Sequence, residues 1–318
     1  MSPARVILHL PERYEALIEK RRRPLLYTRI LDMIAARGGT ALIGSRHPPR
    51  APDGDLHITD NARAPGPEGL SAATAYLEDF WHLDPEGVLA GSSIRHETFR
   101  PRAVEGAAAR AFVRGLRARF VAPRRGRYGQ KRAVESFPKG ALAVFLQGPA
   151  PYRAGQAFCE AEAMVRTVLA GAEGRPVIVK AHPLALEEGR ALIARLRAEG
   201  AMGAQMIETD ANIHDILSSC AATISVNSAA AIEGFLHGKP ALLFGQSDFA
   251  QAAVSVREPG AFGAALAQAL GTDWPHVRFL YWYFGLHCLW LDDPDLEAKI
   301  LAIFARAGFD AHRLGLAP

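Results

Sequence analysis

The chain has 318 residues, a formal net charge of +4 and 49% hydrophobic residues, which suits one large domain or two ordinary ones and excludes a disordered chain. Its three cysteines, Cys159, Cys220 and Cys288, are odd in number and far apart, which excludes a disulfide framework or a zinc pattern and favours a reducing compartment. No apolar run is long enough to span a membrane. The run from Val6 to Leu10 is too short for a secretion signal before Pro11-Glu12-Arg13, so a cytoplasmic protein is expected.

Residues 5–10 read as a first strand. Residues 14–20 and 25–36 carry helical periodicity, ending at the stop signal Gly38-Gly39. Short apolar runs at 40–44 and 56–59 suit parallel strands, with Pro- and Gly-rich loops at 48–55 and 64–69. Residues 71–81 are aromatic and partly helical, and 104–120 form an Ala/Arg helix. The Gly- and Arg-rich stretch 123–130 reads as a linker between two halves.

Beyond it the pattern alternates strictly. Strands are expected at 141–147, 176–180, 206–208, 222–226 and 241–244, and helices at 156–171, 186–200, 213–219 and 228–237. Such βα alternation implies a parallel sheet with right-handed crossovers. Residues 274–307 read as a long aromatic helix, a break at Asp292-Asp293-Pro294, and a second helix. The fold class is α/β, with two αβα halves and a helical tail.

Charge is uneven along the chain. Between Arg95 and Arg132 stand eleven arginines and one lysine against Glu97 and Glu105. A solvated Arg-rich helix accounts for this, and so does a surface for anionic lipid or an acidic glycan. No aromatic-basic module of a nucleic-acid binder appears, so no nucleic-acid partner is expected.

Two strand ends carry the chemistry. Val177-Ile178-Val179 runs into Lys180-Ala181-His182-Pro183, and Thr223-Ile224-Ser225-Val226 runs through Asn227-Ser228 straight into a helix. Ligands of open α/β sheets sit beyond the carboxyl ends of the strands. A strand turning directly into a helix exposes N–H groups and the positive end of the dipole, an anion site. Ser228 suits the N-cap, and its hydroxyl or the Asn227 amide can donate to phosphate; plain capping explains them equally. His182 at the sheet edge can donate to a phosphate and balance a departing nucleotide. Glu233, a turn and a half into the helix, can hold a ribose diol or sit as a solvated carboxylate. Phosphate loops of the Gly-x-Gly-x-x-Gly and Walker types are absent, and no His or acidic cluster has metal-ligand spacing.

These residues resemble those of the bacterial capsule polysaccharide synthesis and export family, which includes Kdo transferases. The shared pattern is Lys180-Ala181-His182-Pro183, Asn227-Ser228, Glu233 and Gly238-Lys239-Pro240, with Gln147 at an earlier strand end. Trp81 to Gly87 followed by Ser92-Ser93 is similar to a stretch of the family's first half, whose acidic-Gly-Tyr-Leu-Arg-Pro run is replaced here by Leu77-Glu78-Asp79-Phe80. The resemblance covers most of 75–250. It implies a GT-B-like fold of two Rossmann-like domains facing a cleft: 1–130 on the acceptor side, 131–270 binding nucleotide-sugar, and helices at 271–318 packing back across both. It further implies a metal-independent glycosyltransferase without a cofactor. A sugar such as Kdo would pass from a CMP-linked donor to a glycolipid or polysaccharide, with peripheral contact at the inner membrane. Gln147, Lys180, His182, Asn227, Ser228 and Glu233 would bind the donor. His182 and Ser228 would face its phosphate, and Glu233 its ribose. Asp84 is the first choice for general base, with Glu97, His82 and Glu78 as rivals, and a turn-capping Asp is the competing reading. The alternative function is a non-catalytic protein of capsule assembly.

Overall fold

A computed structural model describes residues 2–19, 25–49, 52–199 and 206–317. The expected element ends at Lys20 and Gly200, and Arg50 and Ala51 of the 48–55 loop, lie outside the described residues. In chain order the strands are β1 (Val6–His9), β2 (Ala41–Ile43), β3 (Leu56–Asp60), β4 (Gly69–Thr74), β5 (Phe80–Asp84) and β6 (Leu142–Phe145). There follow β7 (Val177–Lys180), β8 (Met206–Glu208), β9 (Ala222–Ser225), β10 (Ala241–Leu243), β11 (Val254–Ser255) and β12 (Leu289–Trp290). Among the described residues, no helix is long and apolar enough to cross a membrane.

The chain forms two compact units, Met1–Glu97 with Tyr283–Pro318, and Thr98–Trp282. The first holds a sheet ordered β12-β5-β4-β3-β1-β2. Strands β1 to β4 pair in parallel, whereas β5 runs antiparallel to β4 and β12 antiparallel to β5. Helices Leu26–Ala36 and Leu296–Arg306 bring Leu26, Ile30, Ile34, Ile300 and Phe304 into one core with Val6, Leu8, Leu56 and Ile58.

The partly helical reading of 71–81 gives way to a β4–β5 hairpin. Leu70, Ser71, Ala72 and Ala73 are all buried, so the strand shows no alternation to mark its period, and its alanines mimic a helix. Asp79, in the left-handed region at φ 68, lies in the connection, a conformation that a short polar side chain tolerates. The expected long aromatic helix is also broken. Helix His276–Leu280 passes into a π-helical stretch, then β12, and only then helix Leu296–Arg306.

The second unit holds an all-parallel sheet ordered β11-β10-β9-β6-β7-β8. Numbered within the unit, this is the 3-2-1-4-5-6 order of dinucleotide-binding folds. The strand order reverses between β6 and β9. Both faces are covered: Val144, Val179 and Ile224 meet Val165, Val168 and Ile193 on one side, while Ala143 and Ile178 meet Ile216 and Leu217 on the other. Every element expected between 141 and 244 is present, with ends shifted by a few residues.

The units divide after Glu97 and after Trp282, whereas the sequence reading divided the chain after 130 and after 270. Aromatic packing draws the Arg-rich segment into the second unit. Phe99 lies edge-on to Phe279 at 5.2 Å between ring centres, and Phe112 meets Tyr281 at 5.4 Å. The 123–130 stretch therefore lies inside the second unit, between the Arg-rich helical segment and β6.

Gly189, on helix Leu186–Ala198, shows how tightly the strand end before His182 is held. A Cβ added there would lie 2.7 Å from the Ala181 Cβ and 3.3 Å from its Cα. Gly189→Ala should lose stability to this overpacking by about 1–3 kcal/mol, outweighing a helix-propensity gain of about 1 kcal/mol. Urea unfolding checks it; a more stable variant would refute the close contact.

Candidate functional site

The reversal point of the second sheet is closed by two amides. Gln147, just past β6, accepts the Asn227 backbone N–H at 2.8 Å through Oε1 and donates through Nε2 to Asn227 Oδ1 at 2.9 Å. Asn227 Nδ2 donates to Gln156 Oε1 at 3.0 Å and to the Gln246 carbonyl at 2.9 Å. Both its amide hydrogens are thus used, so Asn227 positions the corner and does not donate to a phosphate, contrary to one sequence expectation. Gln147 Nε2 retains a second hydrogen.

Ser228 caps helix Ala229–Leu236. Its Oγ accepts the Ala230 N–H at 3.2 Å, and its own N–H reaches Ser225 Oγ at 3.1 Å. The hydroxyl proton remains for a ligand, beside the positive end of the helix dipole.

His182 follows β7, one strand from β6 on the side opposite β9. Two strand spacings separate the β7 and β9 lines, about 10 Å in all. The Leu184 N–H donates to His182 Nδ1 at 3.1 Å, which fixes the ring proton on Nε2. Burial, and then the charge of Arg127, lower the imidazole pKa, so the neutral ring with an Nε2–H donor is favoured. Lys180 is half-buried and donates through Nζ to the Ala211 carbonyl at 2.7 Å. Burial lowers its pKa, partly opposed by Asp210 and Glu233.

Glu233 departs furthest from expectation. The residue is only 4% exposed, and burial pushes its pKa up to about 8 against the opposing pull of the Arg127 N–H, the Arg127 guanidinium and Lys180. A Cβ on Gly126 would lie 3.0 Å from Glu233 Oε1. Glu233 therefore lies under the 124–131 segment, protonated near neutral pH, and not open to a ribose.

That segment, read as a linker, is the feature that sequence reasoning missed. Arg124 pairs with Asp215 at 2.6 Å, and Asn212 Nδ2 donates to the Arg124 and Lys131 carbonyls at 3.1 and 3.2 Å. The Ile213 N–H donates to Gln130 Oε1 at 3.0 Å. His214 Nε2 donates to the Arg125 carbonyl at 2.8 Å, leaving Nδ1 to accept from His237 Nε2 at 2.9 Å. Burial lowers both pKa values, that of His237 to about 4, in keeping with a neutral pair. The segment thus carries Arg127 beside Glu233 and His182, and lays the Tyr128 ring edge-on to His182 at 5.2 Å between centres. Its signal was an aromatic and an amide inside a Gly/Arg run, which a solvated linker does not need.

In the first unit Asp84 ends β5, and its carboxylate is saturated. Oδ1 accepts the Glu86 and Gly87 N–H groups at 2.8 and 3.1 Å, and Oδ2 accepts the Ser93 N–H and hydroxyl at 2.9 and 2.6 Å. Four donors fill the four lone-pair positions of a carboxylate. This corrects the general-base expectation in favour of turn capping. Among the rivals, His82 is buried against the Tyr283 hydroxyl at 3.3 Å, Glu78 is half-buried and Glu97 is exposed. Among the described residues, no group of three His, Cys, Asp or Glu side chains is arranged to hold a metal ion.

Residues 150–261 match a family model described as capsule polysaccharide biosynthesis protein. The chain resembles that family. The matched stretch contains Lys180, His182, Asn227, Ser228 and Glu233, and begins shortly after Gln147. Two solved structures of Thermosulfurimonas dismutans KpsC are also similar. The beta Kdo 2,4 transferase is 13% identical, over 88% of this chain and 90% of its own, with a TM-score of 0.54. The beta Kdo 2,7 transferase is 12% identical, over 96% and 99%, with a TM-score of 0.53. At such identities the likeness is one of fold, GT-B-like with two Rossmann-like units. No curated protein matches.

Two outcomes test this geometry. Asp84→Ala should destabilise the protein by on the order of 2 kcal/mol, since four donors, buried or part-buried, lose their acceptor; an unchanged thermal midpoint would contradict the capping role. Glu233 binds its proton more tightly folded than unfolded, with a pKa near 8 against 4.5. Its contribution is full below about pH 4.5 and declines as pH rises towards 8. Glu233→Gln should therefore flatten the fall in unfolding free energy between pH 5 and 8 by a few kcal/mol, as read by denaturant titration. Parallel pH profiles for the two proteins would place the carboxylate in water.

Proposed function

We propose that the protein is a glycosyltransferase of capsule or surface polysaccharide biosynthesis. It transfers Kdo or a related sugar acid from a CMP-linked donor to a glycolipid or polysaccharide acceptor. The observation that carries this reading is the shared rim of the second unit. There the His182 Nε2–H, the Ser228 hydroxyl and a helix start flank the Gln147–Asn227 clasp at a strand-order reversal, within or beside the family-matched stretch.

In the transfer, an acceptor hydroxyl oxygen bonds to the anomeric carbon as the bond from that carbon to the CMP phosphate oxygen breaks. The electron pair stays on the phosphate, and the hydroxyl proton passes to a base. The His182 Nε2–H, the Ser228 Oγ–H and the helix dipole stabilise the charge growing on the phosphate, a role that needs no metal ion. Asp84, with its acceptor positions filled, is not assigned the proton. The exposed Arg110 and Arg114 on helix Gly106–Leu116 suit an acidic glycan or the anionic lipid of an inner-membrane acceptor.

A second reading, a nucleotide-binding protein of capsule assembly without transfer, is favoured by the saturation of Asp84. Thermal shift with CMP, CDP, UDP and GDP, followed by CMP-Kdo turnover, separates the two. Stabilisation by CMP with turnover, and a loss of turnover of at least about 100-fold in His182→Ala, are expected. CMP binding without turnover would leave the second reading, and stabilisation by UDP alone would overturn the cytidine donor.

A further inference from the structure

The second unit has a cavity at the opposite end of its strands. About 360 Å³ in volume, it is lined among others by Arg117, Phe235, Leu270, Asp273, Trp274 and His276. Two other lining residues, Ala221 and Pro240, stand immediately before β9 and β10. The cavity therefore opens at the amino ends of strands whose carboxyl ends carry the rim with Asn227. About 13 Å of strand separates the two sites.

The wall chemistry is specific. Arg117 donates one of its five N–H groups, through Nε, to the Leu236 carbonyl at 2.8 Å. Asp273 is exposed, and no partner holds its carboxylate among the described residues. Trp274 is half-buried with its indole N–H on the Ala269 carbonyl at 2.9 Å, so what it offers a ligand is ring surface. His276, only 4% exposed, stacks between Phe235 at 4.2 Å and Trp274 at 5.9 Å, and its Nε2 has no hydrogen-bond partner. Burial lowers this imidazole pKa to about 4, and a ring N–H donates to the Ala252 carbonyl. Since Nε2 has no partner, that proton is on Nδ1 and Nε2 is an acceptor lacking a donor, a state rare in native interiors.

We propose that this cavity is a subsite for an acidic saccharide residue, with Arg117 donating to its carboxylate, Asp273 and His276 accepting hydrogen bonds from its hydroxyls, and Trp274 packing on the sugar face. One guanidinium set apart from one carboxylate matches a ligand with a single negative charge and several hydroxyls. A neutral sugar leaves Arg117 unanswered, and a nucleotide phosphate sets more negative charge against Asp273. That the saccharide belongs to the glycan extended at the donor rim rests on the proposed transfer; the binding chemistry does not.

The test titrates the full-length chain with free Kdo by calorimetry and tryptophan fluorescence, with methyl α-glucoside as the uncharged control. Kdo should bind saturably and methyl α-glucoside should not, and Trp274→Phe should remove most of the fluorescence change. Arg117→Gln should weaken Kdo at least about tenfold through loss of a charged hydrogen-bond donor. Leu270→Trp, which fills the cavity from a partly exposed position, should abolish binding. Both variants should keep the CMP-dependent thermal shift, which also reports that they fold. Absence of Kdo binding, equal binding of methyl α-glucoside, or Kdo binding unchanged in both variants and lost in His182→Ala would each overturn the proposal. Loss of the CMP shift in the wild type would instead strike the donor-site reading alone.

Discussion

A pair of amides joins the ends of β6 and β9, and the candidate site depends on that clasp. Gln147 and Asn227 satisfy each other where the strand order reverses. Helices leave on opposite faces of the sheet at such a point, and a crevice opens between them. The remaining Asn227 donors tie the corner to Gln156 and to the Gln246 carbonyl. Ser228 can then start its helix directly at the rim, with its dipole aimed at whatever anion the crevice holds.

The second constraint is a buried acid. A carboxyl group desolvated as fully as Glu233 is costly to ionise, yet the Arg127 N–H and Lys180 lie close enough to temper the cost. By accepting the Arg127 N–H, the carboxyl fastens the 124–131 segment over the helix. In that arrangement Arg127 and Tyr128 stand beside His182. A donor entering at this rim meets the segment as well as the strand ends. Charge, cover and strand geometry are thus assembled by one short stretch of chain and one helix.

The second unit is legible in sequence from β6 to β10, short runs mostly apolar and set in alternation with helices, whereas the two-residue β11, Val254–Ser255, carries no such signal. The positions of Gln147, His182 and Ser228 at strand ends follow from that rhythm alone. Their hydrogen bonds do not: nothing in Asn227-Ser228 reveals that the Asn is consumed in the scaffold while the Ser keeps its proton. Glu233 was misread because its burial comes from residues a hundred positions earlier, in a Gly/Arg stretch with the composition of a linker. In the first unit, β4 was hidden by its small, wholly buried residues, and Asp84 by the later Ser93 that fills its carboxylate. Only the miss at Glu233 comes from partners at long sequence separation; Asp84 is filled from within nine residues of itself.

The central claim is that the rim formed by Gln147, His182 and Ser228 holds the phosphate of a cytidine nucleotide. A crystal structure of the protein with CMP tests it most directly. The account predicts the phosphate within hydrogen-bonding reach of His182 Nε2 and of the Ser228 helix start. CMP bound elsewhere, or a phosphate turned away from both groups, would contradict it.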